Sequence, residues 1–163
     1  MKTKTSSRPS RMLLALVLLP VLFIGGCGAP APKAYSISIR VDDPVVGTTF
    51  EVDLIGANAL TDKPKYENCQ LADYWKPGSS LRRDADKVTF LFGQGKDTTQ
   101  VYALGDPTWS RWLAPNRGVS NIVVMVNLPR NPARITIPLD PTSWPKGTTT
   151  IQLLVQETGI TTM

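Results

Sequence analysis

The sequence contains no histidine among its 163 residues. Without an imidazole, a Ser-His-Asp or Cys-His nucleophilic site cannot form, and most zinc sites lose a customary ligand. Catalysis would then depend on carboxylates, and no pair of Asp or Glu residues lies at a spacing that identifies an acid–base site. We therefore expect a protein that is not an enzyme and that uses no metal or other cofactor.

Cysteine is almost as scarce, because only Cys27 and Cys69 are present. Cys27 follows the apolar run MLLALVLLPVLFI (12–24), which is preceded by a basic segment without acidic residues. This is the layout of a secretory signal peptide. The run has 13 residues and is interrupted by Pro20, whereas a membrane-spanning helix needs about 20 apolar residues. A permanent transmembrane helix is therefore the weaker interpretation.

The stretch FIGGCG (23–28) resembles a bacterial lipobox, because Ile24 lies three residues before the cysteine and the small residues Gly25 and Gly26 lie between them. The resemblance implies cleavage before Cys27, attachment of a diacylglycerol to its thiol and acylation of the new amino terminus. Two or three acyl chains hold a protein firmly on a membrane, where a single chain holds it only marginally. We therefore divide the chain into a signal peptide (1–26), a lipidated cysteine with its tether (27–33) and a β-sandwich domain (34–163).

The residue after the cysteine is Gly28 rather than Asp. By resemblance to Gram-negative lipoproteins, this implies export to the outer membrane, so the expected location is its periplasmic face. The tether from Gly28 to Lys33 is rich in Pro and Ala and reaches about 20 Å when extended. The folded domain is therefore expected to lie close to the membrane.

Net charge is small once the signal peptide is set aside. The whole chain has 18 basic and 13 acidic residues, and four of the basic ones lie before Cys27. The remaining 14 basic and 13 acidic residues nearly cancel. The domain therefore lacks the excess of positive charge that nucleic-acid binding requires. The expected partners are the membrane, through acyl chains on Cys27, and another protein.

Lipidation of Cys27 would leave Cys69 without an intramolecular partner. A single cysteine in an oxidising compartment is either buried as a small apolar residue or free to bond another chain, and burial is the commoner case. We expect Cys69 to be a reduced, buried thiol beside Leu71 or Tyr74.

Alternation of apolar and polar residues predicts an all-β fold. Tyr35, Ile37 and Ile39 alternate with polar residues, as in a half-buried strand. The stretch NIVVMVNL (121–128) is apolar on both faces, which indicates a central strand covered on both sides. We predict an antiparallel β-sandwich of about seven strands, either transthyretin-like or immunoglobulin-like. The expected strands are 35–41, 50–56, 87–92, 98–104, 121–128, 134–139 and 148–157, of which the third and fourth should form a hairpin.

One or two short helices are expected between the strands. The stretch DPTWSRWLA (106–114) offers Asp as an N-cap and Pro at the first helical position. Residues 57–85 form the longest stretch without a strand pattern, and within them Tyr66 to Trp75 could form a helix that Pro77 and Gly78 end. A connection of this length inside a compact domain is usually functional or partly structured.

Aromatic residues make up only 7% of the sequence. Tyr74 and Trp75 lie in the 57–85 segment, and Trp109 and Trp112 lie three residues apart on the second predicted helix. These four are the candidate partner-binding residues, and packing inside the sandwich is the alternative for both pairs. The 57–85 segment is the better candidate interaction region, because recognition residues usually lie on loops of a rigid scaffold.

Several stretches together resemble the small outer-membrane lipoprotein of the type VI secretion membrane complex. They are the lipobox and tether, TTFEVDLIGAN (48–58), ADYW (72–75), NIVVMVNL (121–128) and ARITIPLD (133–140). The resemblance implies a transthyretin-like sandwich that acts as a non-catalytic anchor. Its acyl chains would hold the outer membrane, and a loop would grip the periplasmic end of a large inner-membrane protein. The loop between the first two strands is short here, so the family's binding loop does not transfer to it.

The sequence thus favours a membrane-anchored scaffold or assembly subunit, with type VI secretion as the implied pathway. The alternative is a surface module that binds glycan or peptidoglycan, in which Trp75, Trp109 and Trp112 would be stacking platforms. A concave row of exposed indoles would favour glycan, whereas a protruding apolar loop would favour a protein partner.

Overall fold

The computed structural model describes residues 30–163. The predicted signal peptide, Cys27 and the first residues of the tether lie outside the described residues. The lipobox interpretation therefore stays a prediction.

Eight strands form two four-stranded sheets. The strands are β1 (Ser36–Val41), β2 (Phe50–Asn58), β3 (Lys87–Phe92), β4 (Thr99–Tyr102), β5 (Val119–Val126), β6 (Ala133–Pro138), β7 (Thr150–Gln156) and β8 (Gly159–Thr162). Sheet A has the order β4-β1-β7-β8 and sheet B the order β3-β2-β5-β6. Neighbouring strands are antiparallel except β1 and β7, which run parallel.

Short helices connect some of the strands. The α-helices are α1 (Asp62–Asn68), α2 (Leu71–Trp75), α3 (Ser80–Arg83) and α4 (Pro107–Trp112), and two 3-10 helices lie at Asp43–Val45 and Pro141–Ser143. Helix α4 begins as the sequence predicts, because Asp106 Oδ1 accepts the backbone N–H of Thr108 at 2.8 Å.

The predicted all-β sandwich is confirmed, with eight strands rather than about seven. The additional strand β8 has only four residues, too few for alternation to identify it. The predicted hairpin of 87–92 and 98–104 is wrong. Strand β3 pairs with β2 and strand β4 pairs with β1, so the turn between β3 and β4 carries the chain from one sheet to the other.

The main core lies between the sheets and is supplied by alternate side chains of the strands. Ile37 and Ile39 of β1 face Val52 and Leu54 of β2, and all four are fully buried. Burying one such side chain contributes about 1.5–3 kcal/mol. Strand β5 is buried on both faces, as its sequence predicts, because its outward side chains meet a second apolar cluster outside sheet B.

The tether joins the sandwich at one end. Lys33 donates its backbone N–H to the Leu139 carbonyl oxygen and its Nζ to the Thr148 carbonyl oxygen, both at 3.1 Å. We call this the tether end; β1 and β7 begin there, and α4 follows the end of β4 there. The opposite end, which we call the far end, carries the β1–β2, β3–β4, β5–β6 and β7–β8 connections.

Candidate functional site

A helical insertion covers the outer face of sheet B. It comprises residues 59–86, between β2 and β3, and contains α1, α2 and α3. The predicted segment 57–85 is therefore structured throughout most of its length. The single helix predicted over 66–75 is wrong, because Cys69 and Gln70 adopt extended backbone angles, with ψ of 151° and 129°, and divide it into two helices.

Asn58 begins the insertion. Its Oδ1 accepts the backbone N–H of Leu60 at 3.1 Å and of Thr61 at 2.7 Å, and its Nδ2 donates to Asp62 Oδ2 at 2.7 Å. Asparagine side chains that bond the backbone a few residues ahead favour turns. Asp62 also places a negative charge in the first turn of α1, where the helix dipole favours it. These contacts set the direction in which the chain leaves β2.

A second apolar cluster lies beneath the insertion. Sheet B contributes Ile55, Val123 and Met125, which are fully buried, and the helices contribute Tyr66 and Tyr74. The two tyrosine rings meet edge to face, with their centroids 6.3 Å apart. Such pairs contribute about 0.5–1.5 kcal/mol beyond the area they bury. The insertion is therefore part of the folded core.

Asp53 forms the polar centre of this contact. It lies on β2 with its side chain fully buried. Its carboxylate accepts hydrogen bonds from Tyr74 Oη at 2.8 Å, Arg82 Nε at 2.8 Å and Thr89 Oγ1 at 2.6 Å. These donors belong to α2, α3 and β3, so one carboxylate joins two helices to two strands. A buried charge is costly unless it is paired and hydrogen-bonded in this way.

Tyr74 acts in this centre as a donor. Burial, and next the nearby Asp53 carboxylate, raise the pKa of Tyr74 above its ordinary value of 10.0. Its hydroxyl therefore keeps its proton at physiological pH. The ring itself is fully buried.

Arg82 extends the polar centre to the surface. Its Nη1 lies 2.9 Å from Glu51 Oε2, and its guanidinium lies over the Trp75 ring, with Cζ 4.5 Å from the centroid. Lys87 Nζ donates to the Arg82 carbonyl oxygen at 2.7 Å. The planar guanidinium can bind carboxylates and stack on a ring at once, which a lysine cannot do. Arg82 thus fixes α3 against both β2 and α2.

Strand β6 holds the opposite side of the insertion. Arg134 Nη1 donates to the carbonyl oxygens of Tyr66 at 2.7 Å and Cys69 at 3.0 Å. These carbonyl groups lie at the end of α1, where intrahelical partners are missing and a cation is favourable. Thr136 Oγ1 donates to Glu67 Oε1 at 2.7 Å. The insertion is therefore attached at both edges of sheet B.

Cys69 is a free thiol, half-buried where full burial was expected. Its Sγ donates to the Tyr66 carbonyl oxygen at 3.2 Å, and it packs with Leu71 against the cluster that contains Tyr74. Burial raises the pKa of the Cys69 thiol above 9.0, while the nearby Arg134 acts in the opposite direction. The protonated thiol is the less reactive form.

The four aromatic residues predicted to bind a partner lie in two separate places. Tyr74 is fully buried and Trp75 is half-buried on the outer side of sheet B. Trp109 and Trp112 are buried in the main core at the tether end, where both pack against Tyr102. Packing is the role that this geometry gives to Tyr74, Trp109 and Trp112. Partner binding by these residues stays a prediction, and Trp75 is the one of the four that is only half-buried.

Trp112 also explains a glycine in β2. A Cβ added to Gly56 would lie 2.7 Å from ring atoms of Trp112, so the indole requires the close approach that only glycine allows. Trp75 lies on the opposite side of sheet B from this ring. The three indoles therefore do not form the concave exposed row that glycan binding would need.

Sequence reasoning missed the Asp53 centre and the part that Arg82 and Thr89 take in it. Alternation along β2 puts Glu51 and Asp53 on the face opposite Val52 and Leu54, where charged side chains ordinarily meet solvent. The stretch FEVDLIGAN (50–58) contains a signal, because Ile55 and Ala57 follow Asp53 on that same face. Apolar residues on a strand face that is expected to meet solvent indicate that another element covers that face.

The exposed side of the insertion borders a groove of about 600 Å³. Four of its lining residues are basic, namely Lys76, Arg82, Arg83 and Lys87, and Glu51 is acidic. Trp75, which is half-buried, also lines the groove. A groove of this composition favours a partner segment that carries carboxylates.

Between residues 30 and 163, no group of three or more His, Cys, Asp or Glu side chains could hold a metal ion. Over the same residues, no helix combines the length and apolar character needed to cross a membrane. The Asp53 oxygens are occupied by donors of the chain itself, so this carboxylate holds the insertion in place.

Among known proteins, only solved structures match this chain. No family model matches it, and no curated protein matches it. The Serratia marcescens Lip structure, described as a membrane bound component of the Type VI Secretion System, is 13% identical with a TM-score of 0.48, over 82% of this chain and 97% of that chain. The T6SS lipoprotein TssJ1 from Pseudomonas aeruginosa is 12% identical with a TM-score of 0.49, over 81% and 95%.

A third solved structure is described as the T6SS protein TssM C-terminal domain from EAEC. It is 8% identical with a TM-score of 0.50, over 80% of this chain and 100% of that chain. At this identity the likeness shows the fold alone. The fold class is thus an all-β sandwich of a kind found in a type VI secretion protein.

Proposed function

We propose that the mature protein is a lipid-anchored, non-catalytic scaffold or assembly subunit on the periplasmic face of the outer membrane, in a type VI secretion membrane complex. The observation that carries the proposal is the position of the tether. Cys27 lies six residues before Lys33, and Lys33 is bonded to the tether end of the sandwich. An acylated Cys27 would therefore hold that end near the membrane and direct the far end away from it.

The pathway is inferred from the stretches that resemble the type VI secretion lipoprotein. The sandwich that this resemblance implies agrees with the fold observed, and the TssM domain structure has that fold as well. The absence of histidine from the whole sequence argues for the same non-catalytic role. The partner implied by the resemblance is the periplasmic end of a large inner-membrane protein.

We place the partner contact on the exposed side of the helical insertion. The insertion is attached through Asp53, Arg82 and Arg134, so a load on it would pass directly to sheet B. Lys76 is exposed on the groove beside Trp75. Buried Tyr74 supports this surface from below and would affect binding only through folding.

The anchor is tested by fatty-acid labelling and membrane fractionation in the host. The variant Cys27→Ser should lose the label and leave the membrane fraction, because the acyl chains are the proposed attachment. Cys69→Ser is the matched control and should behave as the parent does. Undiminished labelling of Cys27→Ser would remove the basis of the proposal.

The contact surface is tested with a pair of charge reversals. Lys76→Glu should lower recovery of the crosslinked partner by about tenfold, because each 1.4 kcal/mol of binding energy corresponds to a factor of ten. Lys146→Glu is the control, since Lys146 is exposed in the loop at the tether end. Both variants should unfold at the parent's temperature. Equal recovery from the two variants would show that the partner binds elsewhere.

A further inference from the structure

Strand β4 ends sheet A with an open edge. It pairs only with β1, so one side of its backbone faces solvent. The Val41 N–H donates to the Thr98 carbonyl oxygen at 2.9 Å, which continues the β1–β4 register. Because bonded pairs alternate along an antiparallel ladder, residues 98, 100 and 102 direct their backbone groups toward β1. The N–H and C=O groups of Thr99 and Val101 therefore point outward.

These outward groups have no hydrogen-bond partner within residues 30–163. Natural sheets usually block such an edge with a charged residue, a proline, a bulge or a covering segment. Strand β4 has the sequence TQVY, which supplies neither charge nor proline. Its edge is consequently available for another strand.

The other three sheet edges are protected. Strand β3 carries Lys87 at its edge, and its Leu91 carbonyl oxygen accepts from Gln100 Nε2 at 2.8 Å. Strands β6 and β8 pack against each other across the sandwich, and β6 also contains Arg134 and Pro138. Among the described residues, β4 is therefore the one edge strand without such protection.

Apolar surface borders the open edge. Val101 and Leu104 are each about half exposed, at 54% and 49%. Val101 lies on β4 itself, and Leu104 follows its end. Exposed apolar residues gathered beside unpaired backbone groups are typical of strand addition by a binding partner.

We propose that the β4 edge accepts an extended segment of a partner protein as an additional strand of sheet A. The main-chain groups of Thr99 and Val101 would bond the segment, and Val101 and Leu104 would contact its apolar side chains. The segment is expected to be uncharged where it faces the uncharged β4, with apolar residues at alternate positions. This contact is distinct from the groove on the helical insertion.

The position of the tether argues for a different protein over a second copy. Two copies related by a two-fold axis would pair through β4 antiparallel, so their tether ends would point in opposite directions. With the strands upright on the membrane, a tether of about 20 Å could not bring both cysteines to one surface. A strand from another protein can run in either direction. This step of the inference rests on the proposed anchoring at Cys27.

The edge is tested by photo-crosslinking in the host with the full chain. Thr99 is replaced by p-benzoylphenylalanine, and adducts are mapped by mass spectrometry after irradiation. The expected adduct joins position 99 to an extended segment of another protein. Val101→Pro should reduce it about fivefold, since one outward N–H is lost and the net value of one hydrogen bond, about 1 kcal/mol, corresponds to that factor. That N–H faces away from β1, so the fold tolerates the change.

Val101→Thr is the matched control, because it keeps the N–H and should keep most of the adduct. Val101→Lys is a second disruptive variant that folds readily and blocks the edge with charge. The inference is overturned by the absence of an adduct, by an adduct that contains two copies of this chain, or by an adduct that survives both Val101→Pro and Val101→Lys. Fatty-acid labelling of Cys27 reports the anchor separately, so failure of the anchor and failure of the edge contact are distinguishable.

Discussion

The outer faces of the two sheets differ in what covers them. In residues 30–163, the outer face of sheet B lies beneath the helical insertion, whereas that of sheet A presents small polar side chains such as Ser38 and Gln152. This difference in coverage can be recognised in the residue patterns of the strands. Strands β1 and β7 alternate strictly between buried and accessible residues, but β2 and β5 are buried on both faces. Loss of alternation along a strand therefore indicates a covering element.

The largest effect is expected from removing the carboxylate that holds the insertion. Asp53→Ala leaves Tyr74 and Thr89 without this acceptor and leaves Arg82 with Glu51 alone, and breaking a buried pair typically costs about 3–5 kcal/mol. Urea unfolding of the domain from residue 28 would measure the loss of stability. Asp43→Asn is the control, since Asp43 is exposed in the β1–β2 connection.

A loss below about 1 kcal/mol would show that Asp53 is not the centre of the attachment, since surface changes usually fall within that range. The insertion would then depend on its apolar cluster. Asp53→Asn separates charge from shape, because the amide fills the same space with only one acceptor oxygen. It should lie between Asp53→Ala and the parent in stability.

A smaller effect is expected at alkaline pH on the covered face. Burial, and next the Asp62 charge, raise the pKa of Tyr66 from 10.0 to about 12. Stability from this residue is complete below pH 10 and is lost as pH rises through 12, because the unfolded chain releases the proton first. The rise corresponds to roughly 2–3 kcal/mol at most, at 1.36 kcal/mol for each pH unit. Unfolding measured from pH 9 to pH 12 would show the decline.

Tyr66→Phe is the comparison for this experiment, because phenylalanine has no proton to release. The variant should lose less stability across the same pH range than the parent. Parallel curves for the two proteins would mean that other groups control the alkaline behaviour and that Tyr66 ionises freely.

Tyr74→Phe should have a more modest effect. Only the hydroxyl is removed, so the ring still packs in the cluster while Asp53 keeps its bonds from Arg82 and Thr89. A hydrogen bond to a charged group is worth about 1.5–3 kcal/mol, and the remaining donors favour the lower value. Thermal unfolding would measure the change. A loss as large as that of Asp53→Ala would contradict the view that three residues share the carboxylate.

The sequence predicts the layers of this fold better than its connections. Alternation in β1 and β7 and the apolar β5 depend on which face meets the core, and local pattern reports that directly. The predicted hairpin of β3 and β4 is wrong because β3 pairs with β2 and β4 pairs with β1. Both partner strands are distant in the sequence. No local signal in the turn distinguishes a return within one sheet from a crossing to the other.

The candidate site, too, could be predicted from the sequence only in part. Position 57–85 could be recognised as an insertion from its length and turn residues. The contacts of Asp53 with Arg82 and Thr89 span 29 and 36 residues of sequence, so spacing alone does not reveal them. Burial of Trp112 likewise depends on Gly56 of a distant strand.

The smallest effect on stability is expected on the bare face of sheet A. Gln152 is exposed on β7, opposite Ser38 in the register, and is remote from the insertion. Gln152→Ala should change the free energy of unfolding by less than about 0.5 kcal/mol, as surface substitutions usually do. Partner recovery should also be unchanged, because the proposed contacts lie on the insertion and on the β4 edge. A stable Gln152→Ala variant that loses its partner would reverse the comparison, since the uncovered face of sheet A would then be the binding surface and the covered face of sheet B its structural support.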